Sequence, residues 1–248
     1  LPVLIIHRKA WREITWGVSA GVVMGFGWIG YVTALAKLPA STVGVLYMTY
    51  PVFTILIAWA LFADAPTRRA LFASGLIVLA AIIAGSPASV PIEYLPTLLI
   101  SLLAPFGFGF GICVLVHRLS RIAPLARMAS VSLGAILGLA PLVLSSEISD
   151  LLPREGSDWL LIVGIGLVTA LVPQLIYTVC SPVIGASQTA VVGSIELPTM
   201  FAVGLLAFGE AVTAHQAIAC AFILGAIAIP RSRKTRTVST VLTKSPKR

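Results

Sequence analysis

The chain has 248 residues, 58% of them apolar and only 10% charged, with a mean hydropathy of +1.02 and a formal net charge of +8. Soluble domains are roughly 45 to 50% apolar and about 25% charged, so a water-soluble globule is excluded. The composition is that of a single polytopic helical membrane domain, all-α, in which helices supply every backbone hydrogen bond.

Leu1 to Ile6 is apolar and stops on His7, Arg8 and Lys9, which reads as the tail of a span and not as a signal peptide. Eight apolar segments follow: Ile14–Leu35, Ser41–Phe62, Ala70–Ser86, Tyr94–Val116, Pro124–Leu144, Asp158–Cys180, Ser187–Gly209 and Thr213–Pro230. The connections are short and no GxxxxGK[ST] occurs, so ATP-driven transport by this chain alone is disfavoured. Cys113, Cys180 and Cys220 fall inside apolar runs without metal-ligand spacing and read as small core residues. No cofactor and no metal is expected.

Cytoplasmic connections retain lysine and arginine, and alternate connections divide cleanly. One face collects Arg8, Lys9, Arg12, Arg68, Arg69, Arg118, Arg121, Arg127 and the seven basic residues of the tail, fifteen of the seventeen in the chain. The other has Lys37 and Arg154 beside Glu93, Glu147, Asp150, Glu155, Asp158 and Glu210. Both ends are thus expected in the cytoplasm, and the asymmetry accounts for the net charge without nucleic acid.

An internal repeat is the most informative feature. A shift of 146 positions lays Tyr31 on Tyr177, Ala40-Ser41 on Ala186-Ser187, Val45 on Val191, Phe62 on Phe208, Asp64-Ala65 on Glu210-Ala211, Thr67 on Thr213 and Ile77 on Ile223. A mid-span proline is displaced by one place, Pro51 against Pro198. The Asp64 and Glu210 connections fall on opposite faces, so the repeat is inverted. Inverted repeats with broken or kinked helices build secondary transporters, with the substrate site near the midplane where the halves meet.

The segments YVTALAKLPASTVGVLYMTYPVFTILIAWALFADAPTRRALFASGLIVLAAIIAG and YTVCSPVIGASQTAVVGSIELPTMFAVGLLAFGEAVTAHQAIACAFILGAIAI resemble the two halves of an EamA-type transporter of the drug/metabolite transporter superfamily. The resemblance spans Ile14 to Pro230. It implies ten helices as five plus five, export or exchange of small metabolites such as amino acids, and a multi-pass protein of the bacterial inner membrane with a cytoplasmic C terminus. On that pattern the first helix and most of the second are missing here. Residues 1–92 then form the remainder of the first repeat with three spans, 93–230 the second repeat with five, and 231–248 a basic tail.

One ionisable residue lies at membrane depth. Glu196 precedes Pro198 by two positions, and that proline's missing N–H leaves the Ser194 carbonyl without its helical partner. With no lysine or arginine at matching depth, Glu196 is a candidate proton carrier; the alternative is a hydrogen-bonded carboxyl that stabilises the kink. Pro51 and Pro198 are the expected kinks. Trp28 and Tyr31 share a helix face, as do Gln174 and Tyr177 after the shift, while Tyr50 corresponds to Glu196 and Tyr47 lies three residues before Tyr50. Trp28, Tyr31, Tyr47, Tyr50, Gln174 and Tyr177 are therefore candidate substrate-binding residues. Aromatic faces there would hold an apolar or cationic metabolite, the alternative being interhelical contacts.

Gly17, Gly21 and Gly25, like Gly134 and Gly138, recur at every fourth residue and predict packing seams. The alternating run Pro105–Gly111 puts no glycine stripe on one face and predicts a kinked, loosely packed helix, the alternative being a flexible gate. Trp11, Trp16 and Trp159 fit an interfacial belt. A passive channel is the nearest rival, and an intramembrane enzyme is remote because no span carries GxSG, HExxH or paired Asp. Expected partners are a small-molecule substrate, the lipid bilayer and protons; oligomeric state is open, a homodimer included.

Overall fold

The computed structural model describes residues 4, 10–38, 40–85, 92–147, 152, 153, 155–209 and 211–229. The apolar remnant at the start, the connection around Asp150 and Arg154, Glu210 and the basic tail lie outside the described residues, apart from Leu4. No strand occurs among the described residues; the chain is a helical bundle.

The helices are α1 (Trp11–Leu35), α2 (Ala40–Tyr47), α3 (Tyr50–Phe62), α4 (Arg68–Gly85), α5 (Leu95–Ser101), α6 (Leu103–His117), α7 (Pro124–Ser145), α8 (Gly156–Ile165), α9 (Val172–Ile184), α10 (Ala186–Gly193), α11 (Glu196–Phe208) and α12 (Ala214–Ala228). A π-helical stretch, Gly166–Leu171, joins α8 to α9. Each of the eight predicted segments contains one of these helices or a collinear pair. Six runs are long and apolar enough to cross a membrane: Trp11–Leu35, Thr42–Phe62, Leu95–His117, Pro124–Ser145, Gly156–Ile184 and Ala186–Ala207. The 15-residue α12 packs against the 18-residue α4.

The repeat is written into the backbone. The helical path breaks at Met48–Thr49 and again at Ser194–Ile195, positions 146 apart. Both second halves end in a left-handed residue at the same interval, Ala63 at φ 53° and Gly209 at φ 67°. Thr67 Oγ1 then accepts from the Ala70 amide at 3.2 Å, and Thr213 Oγ1 accepts from the Gln216 amide at 3.3 Å. Pro51 and Pro198 therefore do not kink continuous helices. They lie in the first turn of new ones, where a missing N–H removes no helical bond. The Ser194 carbonyl is not orphaned, since it accepts from the Leu197 amide at 3.3 Å.

The glycine seam forms as the spacing predicts. A Cβ on Gly21 would collide with the Val131 carbonyl, and one on Gly25 would stand 2.9 Å from Gly138 Cα. Helices α1 and α7 thus meet backbone to backbone. The Pro105–Gly111 run overturns its prediction: α6 is tightly packed on two sides, with Gly107 against Val23 and Met24 of α1 and Gly109 against Thr54 of α3. The expectation failed because it weighed one neighbour, whereas α6 lies between two and uses its small residues on both. The interruption falls earlier, at Leu102.

Of the cysteines, Cys113 is buried and donates to the Thr54 carbonyl at 3.3 Å, Cys220 is half-buried, and Cys180 is exposed, against its core assignment.

Candidate functional site

Broken spans bring their interrupted ends together at the centre of the bundle, and the aromatic candidates converge there. Trp28 meets Tyr31 edge-on at 5.4 Å and Tyr47 at 6.1 Å between ring centroids. Tyr47 meets Tyr31 at 5.7 Å and Tyr50 at 5.6 Å. Such spacings are those of favourable ring pairs. Tyr177, from the other repeat, joins through a ring absent from the predicted set: Phe108 of α6 lies 4.9 Å from Tyr50, 5.8 Å from Tyr47 and 5.7 Å from Tyr177. The PFGFGFG run carried a signal for it, because glycines on either side let a phenylalanine enter a crowded centre.

The break in the second repeat supplies the polar floor. Where α10 ends, the Ser194 amide turns to the Val191 carbonyl at 3.3 Å, which leaves the Ala190 carbonyl without an amide four residues on. The Tyr50 hydroxyl donates to that carbonyl at 3.1 Å and the Ser194 hydroxyl at 3.2 Å. The Tyr177 phenol oxygen reaches the same place from the other side of the break. Both phenol oxygens lie over Gly193, where a Cβ would stand 2.6 Å from the Tyr50 oxygen and collide with that of Tyr177. Glycine at 193 therefore makes room for the hydroxyl pair.

Glu196 opens α11 two residues after Ser194, immediately after this floor. The cluster is graded: Tyr50 and Tyr47 are 0% and 8% exposed, whereas Trp28 and Glu196 keep accessible surface. Gln174 is half-buried one turn before Tyr177 and makes no ring contact or hydrogen bond with the cluster among the described residues. The centre is nearly filled, with a cavity of about 10 Å³ beside Trp28, Tyr47 and Phe108. A solute can occupy it only when the rings part. Among the described residues no group of three or more His, Cys, Asp or Glu could hold a metal.

A buried cation, counted in the sequence among the basic residues of one face, supports this centre. Arg127 is 9% exposed; its Nε donates to the Ile122 carbonyl at 2.8 Å, Nη1 to Thr178 at 2.7 Å and Nη2 to Ser120 at 2.9 Å. Thr178 precedes Pro182 by four positions, so its carbonyl has no amide to accept from within α9. The guanidinium takes the place of that missing N–H, one residue from Tyr177. Proline four places after Thr178 was the legible half of this signal.

At the basic end of the bundle, Arg118 lies over the rings of Trp16 at 5.0 Å and Phe62 at 5.5 Å. His117 stacks on Phe62 at 4.9 Å and reaches Asp64 at 3.6 Å. Trp16 is thus part of a packed cluster, whereas Trp11 and Trp159 are 61% and 53% exposed.

Residues 1–86 match the EamA-like transporter family. The matched third of the chain carries the first of the two motif-bearing segments, through α4, and the family is one of membrane transporters of the drug/metabolite superfamily. A solved crystal structure, described only as that of a protein, is similar over 87% of this chain and 85% of its own, with a TM-score of 0.69 and 16% identity. At that identity it speaks for the fold alone, and it extends the likeness beyond the segment the family matches. No curated protein matches the chain.

Proposed function

We propose that the chain is a secondary transporter that exports or exchanges small metabolites such as amino acids by alternating access between two inverted repeats, with proton linkage through Glu196. The observation that carries this reading is the convergence of both broken spans on one aromatic cluster, with Tyr50 and Glu196 at repeat-equivalent positions 146 apart. Trp28, Tyr31, Tyr47, Tyr50 and Tyr177 bind the solute, and Gln174 turns toward it when the rings separate. Glu196 carries the proton and biases which face is open. The filled centre suits a carrier, since a passive channel requires a continuous lumen. On the distribution of basic residues we place the C terminus in the cytoplasm, and on the resemblance to the EamA-like family we assign the protein to the bacterial inner membrane.

The test is exchange of labelled leucine against a pH gradient by the full chain in liposomes, with Glu196→Gln alongside. Saturable exchange that loses its pH dependence in the variant is the expected result. Saturable exchange with unchanged pH dependence would confine Glu196 to a structural role at the helix break. Flux that never saturates would replace the carrier with a channel.

A further inference from the structure

A partly open cavity with polar groups on its rim lies away from the aromatic centre. It has a volume of about 220 Å³ at the basic end, where residues of the α3–α4 connection and of the α9–α10 connection line it together. Its polar rim consists of Asp64, Thr67, Arg69, Ser187 and Gln188, and its apolar wall includes Ala73, Val191, Ala226 and Ile229. That volume equals about seven waters' share of the liquid, room for a small amphipathic solute and little more.

Its rim carries both signs of charge. The Asp64 carboxylate lines it, with its backbone fixed by the Asp64 amide donating to the Ala58 carbonyl at 3.0 Å and one oxygen 3.6 Å from His117. Arg69 and the start of α10, whose first turn has no side-chain cap, line it as well. Gly185 precedes that turn at φ 88°, a conformation that favours glycine and brings Ala186, Ser187 and Gln188 onto the cavity. Uncapped first-turn amides and a guanidinium favour a carboxylate, and Asp64 favours an ammonium.

We propose that this cavity is a binding site at the cytoplasmic mouth for a zwitterionic amino acid, its carboxylate held by Arg69 and the α10 amides and its ammonium by Asp64. The site rests on the transport reading and gives it a docking point before the aromatic centre opens. The repeat supplies an independent argument. The same shift of 146 lays Asp64, Thr67 and Arg69 on Glu210, Thr213 and His215, so acid, hydroxyl and base recur in that order at the opposite mouth. A carrier built of inverted halves meets its solute at both faces, and here both faces carry the same three kinds of group.

The test is equilibrium dialysis of the purified full chain with labelled leucine, with 3-methylbutylamine, which lacks the carboxylate, and with 4-methylpentanoate, which lacks the ammonium. Leucine should bind at least about tenfold more tightly than either. Asp64→Asn should weaken leucine and the amine and leave the acid unchanged; Arg69→Gln should weaken leucine and the acid and leave the amine unchanged. Equal binding of all three by the unmodified chain, or no leucine binding at millimolar concentration, overturns the proposal without any variant. Leucine binding unaffected by either substitution also overturns it. Saturable leucine exchange in liposomes that neither variant alters leaves the transport reading intact and removes this site alone, whereas the loss of saturable exchange in the unmodified chain removes the transport reading.

Discussion

Helix α1 and the run from α8 through α9 occupy the same place in the two repeats, yet they are held in opposite ways. In α1, Gly17, Gly21, Gly25, Gly27 and Gly30 are buried against α5, α6 and α7. The shift of 146 replaces them with Val163, Leu167, Leu171, Pro173 and Ile176. None of the residues of α8 is buried, and a Cβ on Gly164 or Gly166 would meet nothing within 4 Å. The repeat therefore fixes where the backbone runs, whereas the residues at the seam decide whether a span is locked or loosely held. Pro173 adds to the contrast, because it cannot donate to the Thr169 carbonyl and the widened π-helical stretch ends two residues before it.

The largest expected effect breaks the locked side. Gly21→Leu drives a side chain into the Val131 carbonyl and the Gly134 backbone, neither of which can rotate away. A loss of about 3 kcal/mol or more in thermal unfolding in detergent is expected, while Leu167→Ala at the equivalent position stays within about 1 kcal/mol. Equal effects would refute the contrast. Next comes the tether of the loose side: Arg127→Met removes three charged hydrogen bonds and leaves the Thr178 carbonyl bare, for a loss of about 3 kcal/mol by the same assay. Lysine at 127, a point donor in place of a fork, should recover only part of it.

A smaller effect separates packing from transport. Gly193→Ala pushes the Tyr50 and Tyr177 hydroxyls apart, but both are the ends of side chains that can yield. Stability should fall by about 1 kcal/mol, while leucine exchange falls about tenfold. The smallest is His117→Gln, within about 1 kcal/mol, because Asp64 is 44% exposed and water screens the pair.

The eight spans were legible because apolar run length is a local property, and the repeat was legible because register survives substitution. The breaks were half legible: Pro51 and Pro198 pointed to them, but the turns at 48–49 and 194–195 are closed by local hydrogen bonds that no residue type announces, and the Ala190 carbonyl freed by the second is capped by Tyr50, 140 positions away. The aromatic cluster could be assembled from face and repeat arguments except for Phe108, whose role depends on a third helix wedged between two others. Arg127 was invisible as a structural residue because its principal acceptor, Thr178, is 51 positions away. Trp16 read as a belt residue because nothing local revealed the guanidinium that lies over its ring.

Were the second repeat to tilt during transport, the Arg127 fork would fix the point about which its long span turns. A beam bonded along its whole length tilts only with its support, whereas a beam pinned at one station swings about the pin, and the lever arm on each side fixes how far its ends travel. The pin here grips Thr178, beside the Tyr177 phenol. A small rotation there would displace the far, unburied end of the span by many ångströms while barely moving the tyrosine. An arrangement of that kind couples a large change at one membrane face to a fine adjustment among the rings.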